Sequence, residues 1–390
     1  MRVLALTTDN KLTYCSAPPE NRGEGRCNHI FHQNDGESSN DFLRRVSEGL
    51  LKQAKDNEES EILSLSDSEK FDMISNHENL DILINDEDQN IRTAVARQGY
   101  GLDKLIDDSS WIVHKTVAEQ GYGLDKLIND DDPDIRVAVA EQGYGLNKLI
   151  NDSDLHVRTA VAEQGYGLDK LISDESWHVR KAVAGQNYGL ERLVDDKDSN
   201  VRVAVAEQGY GLDKLINDED WVVRKAVADQ GYGLNKLVDD KNSNVRMAVA
   251  KQGYGLDKLI NDESCIIRRT VAEQGYGLDK LVNDKDSEVR AGVAKHGYGL
   301  DKLVNDESWY VRKTVAERGY GLDKLVNDED EDVRTIVAKQ GYGLEKLVND
   351  KSTFVRREVA KQGYGLEKLI NDENDTVRKI AKDLLREKER

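Results

Sequence analysis

Tyr166-Gly-Leu-Asp-Lys-Leu-Ile-Ser-Asp-Glu-Ser-Trp-His-Val-Arg-Lys-Ala-Val-Ala-Gly-Gln-Asn187 decides the fold, because the same 22-residue phrase recurs along the chain. Thirteen tyrosines stand 22 residues apart, from Tyr100 to Tyr364. Ten positions after each comes Ser, Asp or Asn: Ser110, Asp132, Asp154, Ser176 and onward to Asn374. These side chains accept hydrogen bonds from the free N–H groups of a helix start. Pro133 follows one of them directly, at the first helical position, where proline fits. The spacing therefore predicts a helix of about ten residues ending at the glycine before each tyrosine. The one substitute for that glycine is Asn187, which also tolerates the left-handed conformation of a helix stop.

The second segment, Leu-Asp-Lys-Leu-Ile, is apolar at i, i+3 and i+4 and reads as a short α or 3₁₀ turn. On the longer helix, Val179, Ala182, Val183 and Gln186 are expected to share the buried face, with Trp177 and Lys181 nearly opposite. One repeat buries about five large apolar side chains, worth roughly 10 kcal/mol. Ordering its backbone costs at least about 20 kcal/mol. A lone repeat cannot fold, so neighbours must stack. Alanine recurs in the last helical turn from Ala96 to Ala360, on the flank where adjacent long helices would close up. Lys382 takes that position in the last copy, and Leu384, Leu385 and a charged tail over 386–390 read as a longer capping helix. Phe71, Met73, Leu80, Leu83 and Ile84 keep the register without a tyrosine, as a degenerate first repeat. Before it, Phe42, Val46 and Leu50 predict an N-terminal capping helix.

The expected fold class is all-α: a right-handed α-solenoid of two-helix repeats with a small N-terminal β-hairpin module. The domain reading is 1–37 for that module, 38–65 for a helical linker or cap, and 66–390 for the solenoid. The run Val157-Arg158-Thr159-Ala160-Val161-Ala162, followed by a turn, a Leu-x-x-Leu segment and Asp174, resembles the leucine-rich repeat variant family. It resembles HEAT repeats more distantly. The resemblance covers residues 86–390 and implies alternating α and 3₁₀ helices and a binding scaffold without shared catalytic chemistry. In the turn, Gly-Tyr-Gly replaces the family's Asn-Pro-x-x-Pro type of sequence. Some members carry an N-terminal iron–sulfur cluster, whereas only two cysteines lie in that region here.

Charged residues make up 34% of the 390, and the net charge of −19 disfavours a nucleic-acid or anionic-membrane partner. No apolar run reaches spanning length. Three cysteines, an odd number, do not suggest a disulfide framework, and a reducing cytoplasm is the expected location. No nucleophile elbow, phosphate loop or dinucleotide fingerprint occurs, so an enzyme is not expected.

Rows of arginine (Arg92, Arg136, Arg158 and onward to Arg378, with His114 the gap) and aspartate (Asp86 to Asp372) predict ion pairs between repeats. The tyrosines are expected to close the turn and pack on the next repeat, with a binding groove as the other reading. The lysines from Lys104 onward read as solvated charges beside Asp103 and its equivalents. From Trp177 onward the variable positions at the start of the long helix alternate with a 44-residue period. Their large apolar members, Trp111, Trp177, Trp221, Ile266, Trp309, Tyr310 and Phe354, form the candidate partner-binding stripe. The expected partner is a protein, basic in character. An acidic solenoid that mimics DNA is the alternative. Near the start, Val3–Leu6 and Leu12–Tyr14 flank Asp9-Asn10 as a hairpin. Cys15, Cys27, His29 and His32 form a candidate zinc site, since two thiolates and two imidazoles suit a tetrahedral ion. A regulatory metal-dependent module is the third reading of function.

Overall fold

The computed structural model describes residues 3–7, 12–14, 27–32, 34 and 37–388. The chain divides into two compact units, Met1–Tyr166 and Gly167–Arg390.

In the first unit, β1 (Val3–Thr7), β2 (Leu12–Tyr14) and β3 (Cys27–His32) make an antiparallel sheet in the order β2-β1-β3. β1 pairs with β2 from Leu4↔Tyr14 to Leu6↔Leu12, the expected hairpin partners. The turn residues Asp9 and Asn10 lie outside the described residues. Helix α1 (Ser39–Leu63) follows, with Phe42 and Val46 buried as the expected cap. Helix α2 (Asp67–Ser75) and the short Leu80–Leu83 form the degenerate repeat. The long helices Gln89–Arg97, Trp111–Glu119, Pro133–Glu141 and Leu155–Glu163 then pack in succession.

In the second unit the same pattern runs from Trp177–Gly185 through Ser199–Glu207 and Trp221–Asp229 to Thr353–Lys361. It reaches the longer helix Asp375–Lys388. Each long helix packs on the next. The architecture is a helical repeat solenoid.

The caps fall where the spacing put them. Asp198 accepts from the N–H of Asn200, and Asn242 from that of Asn244. The serine caps, such as Ser264, make no such side-chain bond. Each long helix ends on a residue at positive φ, and Asn187 at 58° does the work of glycine. The second glycine of the turn has a different reason. A Cβ on Gly255 would sit 2.6 Å from Cγ2 of Val238 in the preceding repeat, whereas one on Gly253 would meet nothing. Leu-Asp-Lys-Leu is one α-helical turn, closed by Leu259 N–H to Gly255 O at 2.9 Å. Bonds of the i→i+3 kind flank it, such as Asp262 N–H to Leu259 O at 3.1 Å.

The buried stripe of the long helix is broader than the expected one: the equivalents of Ala182, such as Ala160, Ala204 and Ala248, are buried as expected, and the arginine joins them. Val179, Arg180, Val183 and Ala184 are buried, while Ala182 is only partly covered and Gln186 is exposed. A long helix with a helical neighbour on its flank buries i, i+1, i+4 and i+5, so the arginine stem becomes part of the core. The alanines of the last turn, Ala184 to Ala360 in this unit, have 0% exposure, which allows the close approach of adjacent helices.

Candidate functional site

The arginine and aspartate rows form the ion-pair ladder. In the second unit Arg268 donates from Nε to Asp284 Oδ2 at 2.6 Å and from Nη2 to Asp284 Oδ1 at 2.9 Å. Its Nη1 reaches the carbonyls of Asp262 and Glu263 at 2.8 and 3.1 Å. Asp284 Oδ1 also accepts from the N–H of Asp286 at 2.9 Å. One side chain thus binds the preceding turn and the following repeat together. Burial works to raise the Asp284 carboxyl, but the Arg268 guanidinium and the Asp286 N–H outweigh it and hold the group below its ordinary range. Asp240, Asp262 and Asp350 show the same balance.

In the first unit Lys70 takes the arginine place, with Nζ 2.8 Å from Asp86 Oδ2 and both side chains buried. Phe71 and Met73 beside it in α2 did not mark it as a ladder residue, but its spacing of 22 from Arg92 does. His114 replaces the arginine of the next-but-one rung. Its Nδ1 lies 3.7 Å from Asp130 Oδ2, too long for a hydrogen bond. Asp130 is 21% exposed there, against 9% for Asp108 in the arginine rung before it.

Two further rows tie repeats together. Gln252 Nε2 donates to Asp229 O at 3.0 Å, and Gln362 Nε2 to Lys339 O at 3.1 Å. The lysines of the short helix are not merely solvated, as expected from sequence. Lys236 reaches Asn217 and Lys302 reaches Asn283 in the preceding repeat, while Lys214 pairs with Asp195 and Lys258 with Asp239. The carboxylates just before these lysines behave differently. Asp213, Asp257 and Asp279 are exposed and make no ion pair. The hollows between repeats are floored by the ladder. One of about 590 Å³ is bordered by Asp328, Arg334, Lys346 and Asp350, and its arginine is committed to Asp350 at 2.6 Å.

The stripe candidates are largely solvent-facing. Trp111, in the first unit, is 48% exposed. In the second unit Trp221 is 37%, Ile266 49%, Trp309 42%, Tyr310 36% and Phe354 53% exposed. Trp177 is partly covered and stacks on His178, with centroids 3.7 Å apart. Trp309 and Tyr310 meet edge to face at 6.0 Å, Lys313 lies over Trp309 at 5.7 Å, and Arg357 over Phe354 at 5.3 Å. The 44-residue alternation has an electrostatic side that the sequence reading missed. The cation of a rung with a large apolar residue faces an acid on the next, as in Arg269–Glu288 beside Ile266 and Lys313–Asp332 beside Trp309. Cys265, on the same stripe, is a partly covered free thiol.

The thirteen tyrosines are a little over half covered, at 41–43% exposure, and backbone N–H groups of the row close the turn, as Tyr254 N–H does on Val249 O at 3.3 Å.

Of the candidate metal ligands, Cys15 lies outside the described residues. Cys27, His29 and His32 belong to β3, opposite Thr7, Leu6 and Val3 of β1, with an irregularity between Leu6 and Thr7. Among the described residues, no helix is long and apolar enough to cross a membrane.

No family model and no curated protein matches the chain. Among solved structures it is similar to Kap95p in complex with RanGDP, at 11% identity and a TM-score of 0.38, covering 82% of this chain and 61% of that one. It is similar to Kap95 in complex with Nup1 at 13% identity and a TM-score of 0.25, covering 82% and 50%. A TOG-domain array of microtubule polymerases, from work on tubulin recruitment, is similar at 13% identity and a TM-score of 0.15, covering 86% and 97%. The chain thus spans less than two thirds of the first two.

Proposed function

We propose that the protein is a non-enzymatic repeat scaffold, related to the leucine-rich repeat variant solenoids and working in the cytoplasm, that binds a basic protein partner. The partner is held by Trp111 in the first unit and by Trp177, Trp221, Ile266, Trp309, Tyr310 and Phe354 in the second. The observation that carries this reading is the exposure of large apolar side chains at alternate rungs, with Phe354 at 53% and Ile266 at 49%. About half of each such side chain is open to solvent, and burying that half against a partner would contribute roughly 1 kcal/mol per group. The long helix beneath them is held by the ladder, so the anchors are presented with little left to order on binding. The test replaces Trp221, Trp309 and Phe354 with Ser. The far-UV circular dichroism should not change, and co-purification of the partner should be lost. Retained co-purification sinks the stripe reading.

The net charge of −19 favours a second reading, an acidic solenoid that occupies the DNA site of a nucleic-acid-binding protein. Competition between DNA and this chain for the captured partner separates the two. The N-terminal module is proposed to hold zinc through Cys15, Cys27, His29 and His32. Elemental analysis should find one zinc per chain, lost in a Cys27→Ser/His32→Ala variant; metal-free wild-type protein refutes the site.

A further inference from the structure

The tyrosine row has the features of a second surface, separate from the aromatic stripe. In the second unit it runs from Tyr188 to Tyr364, one ring per repeat, each 41–43% exposed. Three residues after each tyrosine stands an exposed Asp or Glu in every repeat of this unit except that of Asn235. Three residues of chain span at most about 10 Å, so the backbone carries ring and carboxylate within that distance of each other. The adjacent lysines are occupied with the preceding repeat, Lys214 with Asp195 and Lys258 with Asp239, and so do not neutralise these carboxylates. Each rung but that of Asn235 therefore offers one aromatic face and one free negative charge.

The spacing of the rungs selects the conformation of what can follow them. Packed helices lie about 8–10 Å apart. A polyproline II segment has three residues per turn and rises about 3.1 Å per residue, so it returns to the same face every ~9.3 Å. A β-strand returns every ~6.6 Å and an α-helix every ~5.4 Å. Only the first keeps step with one contact per rung over several rungs.

We infer that the row of tyrosines and carboxylates from Tyr188 to Glu367 binds an extended, proline-rich segment of a protein that carries Lys or Arg at every third residue. Each turn of the ligand lays a proline ring on one tyrosine and sets one cation against the carboxylate of that rung. Polyproline segments lose little conformational entropy on docking, and aromatic-lined surfaces are their usual receptors. The regular repeat makes binding multivalent, so affinity grows with the number of triplets that engage at once.

The probe is a fluorescein-labelled peptide of six Pro-Pro-Lys triplets, titrated with the full chain and read by anisotropy. Shortening it to three triplets should weaken binding. An Asp213→Asn/Asp257→Asn/Asp279→Asn variant should bind at least about tenfold more weakly and with a shallower salt dependence. These side chains make no ion pair in the folded chain, so that variant keeps the fold. A Tyr232→Ser/Tyr254→Ser/Tyr276→Ser variant should lose binding at unchanged circular dichroism. The Trp221, Trp309 and Phe354 variant should bind the peptide normally, which keeps this surface distinct from the stripe. Equal affinity for a peptide of the same composition with irregularly spaced lysines overturns the inference. So does unchanged binding by the Asn variant, or absence of binding to the wild-type chain at millimolar peptide.

Discussion

Replacing Arg268 with Met tests whether the ladder holds neighbouring repeats together. The substitution keeps a flexible apolar stem of similar length and removes four hydrogen bonds: two to Asp284 and one each to the carbonyls of Asp262 and Glu263. The pair is only 7% and 8% exposed. Asp284 would keep the Asp286 N–H as its remaining donor. Removing one partner of a buried pair destabilises by about 3–5 kcal/mol, because the other charge stays desolvated. Repeats contact only their neighbours, so the loss is local to the interface between Cys265–Glu273 and Ser287–Lys295. The assay is native-state hydrogen exchange on those two helices. Protection there should fall by about two to three orders of magnitude, while helix Trp177–Gly185 should be unaffected. Arg268→Lys should fall between the two, since it keeps the charge without the planar fork. A change below about fivefold in Arg268→Met, less than ~1 kcal/mol, would refute the claim that the ladder stabilises the stack.

His114→Arg restores the missing guanidinium beside Asp130 and the carbonyls of Asp108 and Ser109. It should stabilise the first unit by about 1–3 kcal/mol, seen as a higher urea midpoint. The two turn glycines should respond differently to substitution. Gly253→Asn should cost less than about 1 kcal/mol, as Asn187 already holds that conformation. Gly255→Ala should cost more than about 2 kcal/mol in thermal melts, from left-handed strain plus the clash with Val238. Acid should weaken the stack through the ladder carboxyls. Asp240, Asp262, Asp284 and Asp350 are held below their ordinary range in the folded chain. Their contribution is therefore complete above about pH 4 and is lost as pH falls below it. Urea midpoints recorded from pH 6 to pH 2.5 should be flat and then fall; a fall that begins near pH 6 would implicate other groups.

The backbone of each repeat was legible because it is set by local chemistry. A cap residue, a proline at the first helical position and an asparagine in a glycine position each report one residue's dihedrals. The Arg–Asp pairing was also readable, since the rows share the repeat period. Facing was harder. Gln186 follows helical spacing from Val179 yet is exposed, whereas Arg180 and Ala184 are covered by the neighbouring helix, and only the packing reveals which flank it occupies. The bonds of Lys236 to Asn217 and Gln252 to Asp229 O join residues 19 and 23 positions apart. Such offsets have no signature in one sequence, because any pair of rows with a common period would fit.

The ladder also bears on how such a chain can change length. A ladder arginine such as Arg268 finds its carboxylate 16 residues ahead and its carbonyls five and six behind, within one period of 22. A genetic duplication or deletion of one whole repeat, at any phase, therefore rejoins each donor to an equivalent acceptor. The stack can be lengthened or shortened without a new interface having to evolve. The aromatic rungs and their ion pairs keep step only when repeats are gained or lost in twos.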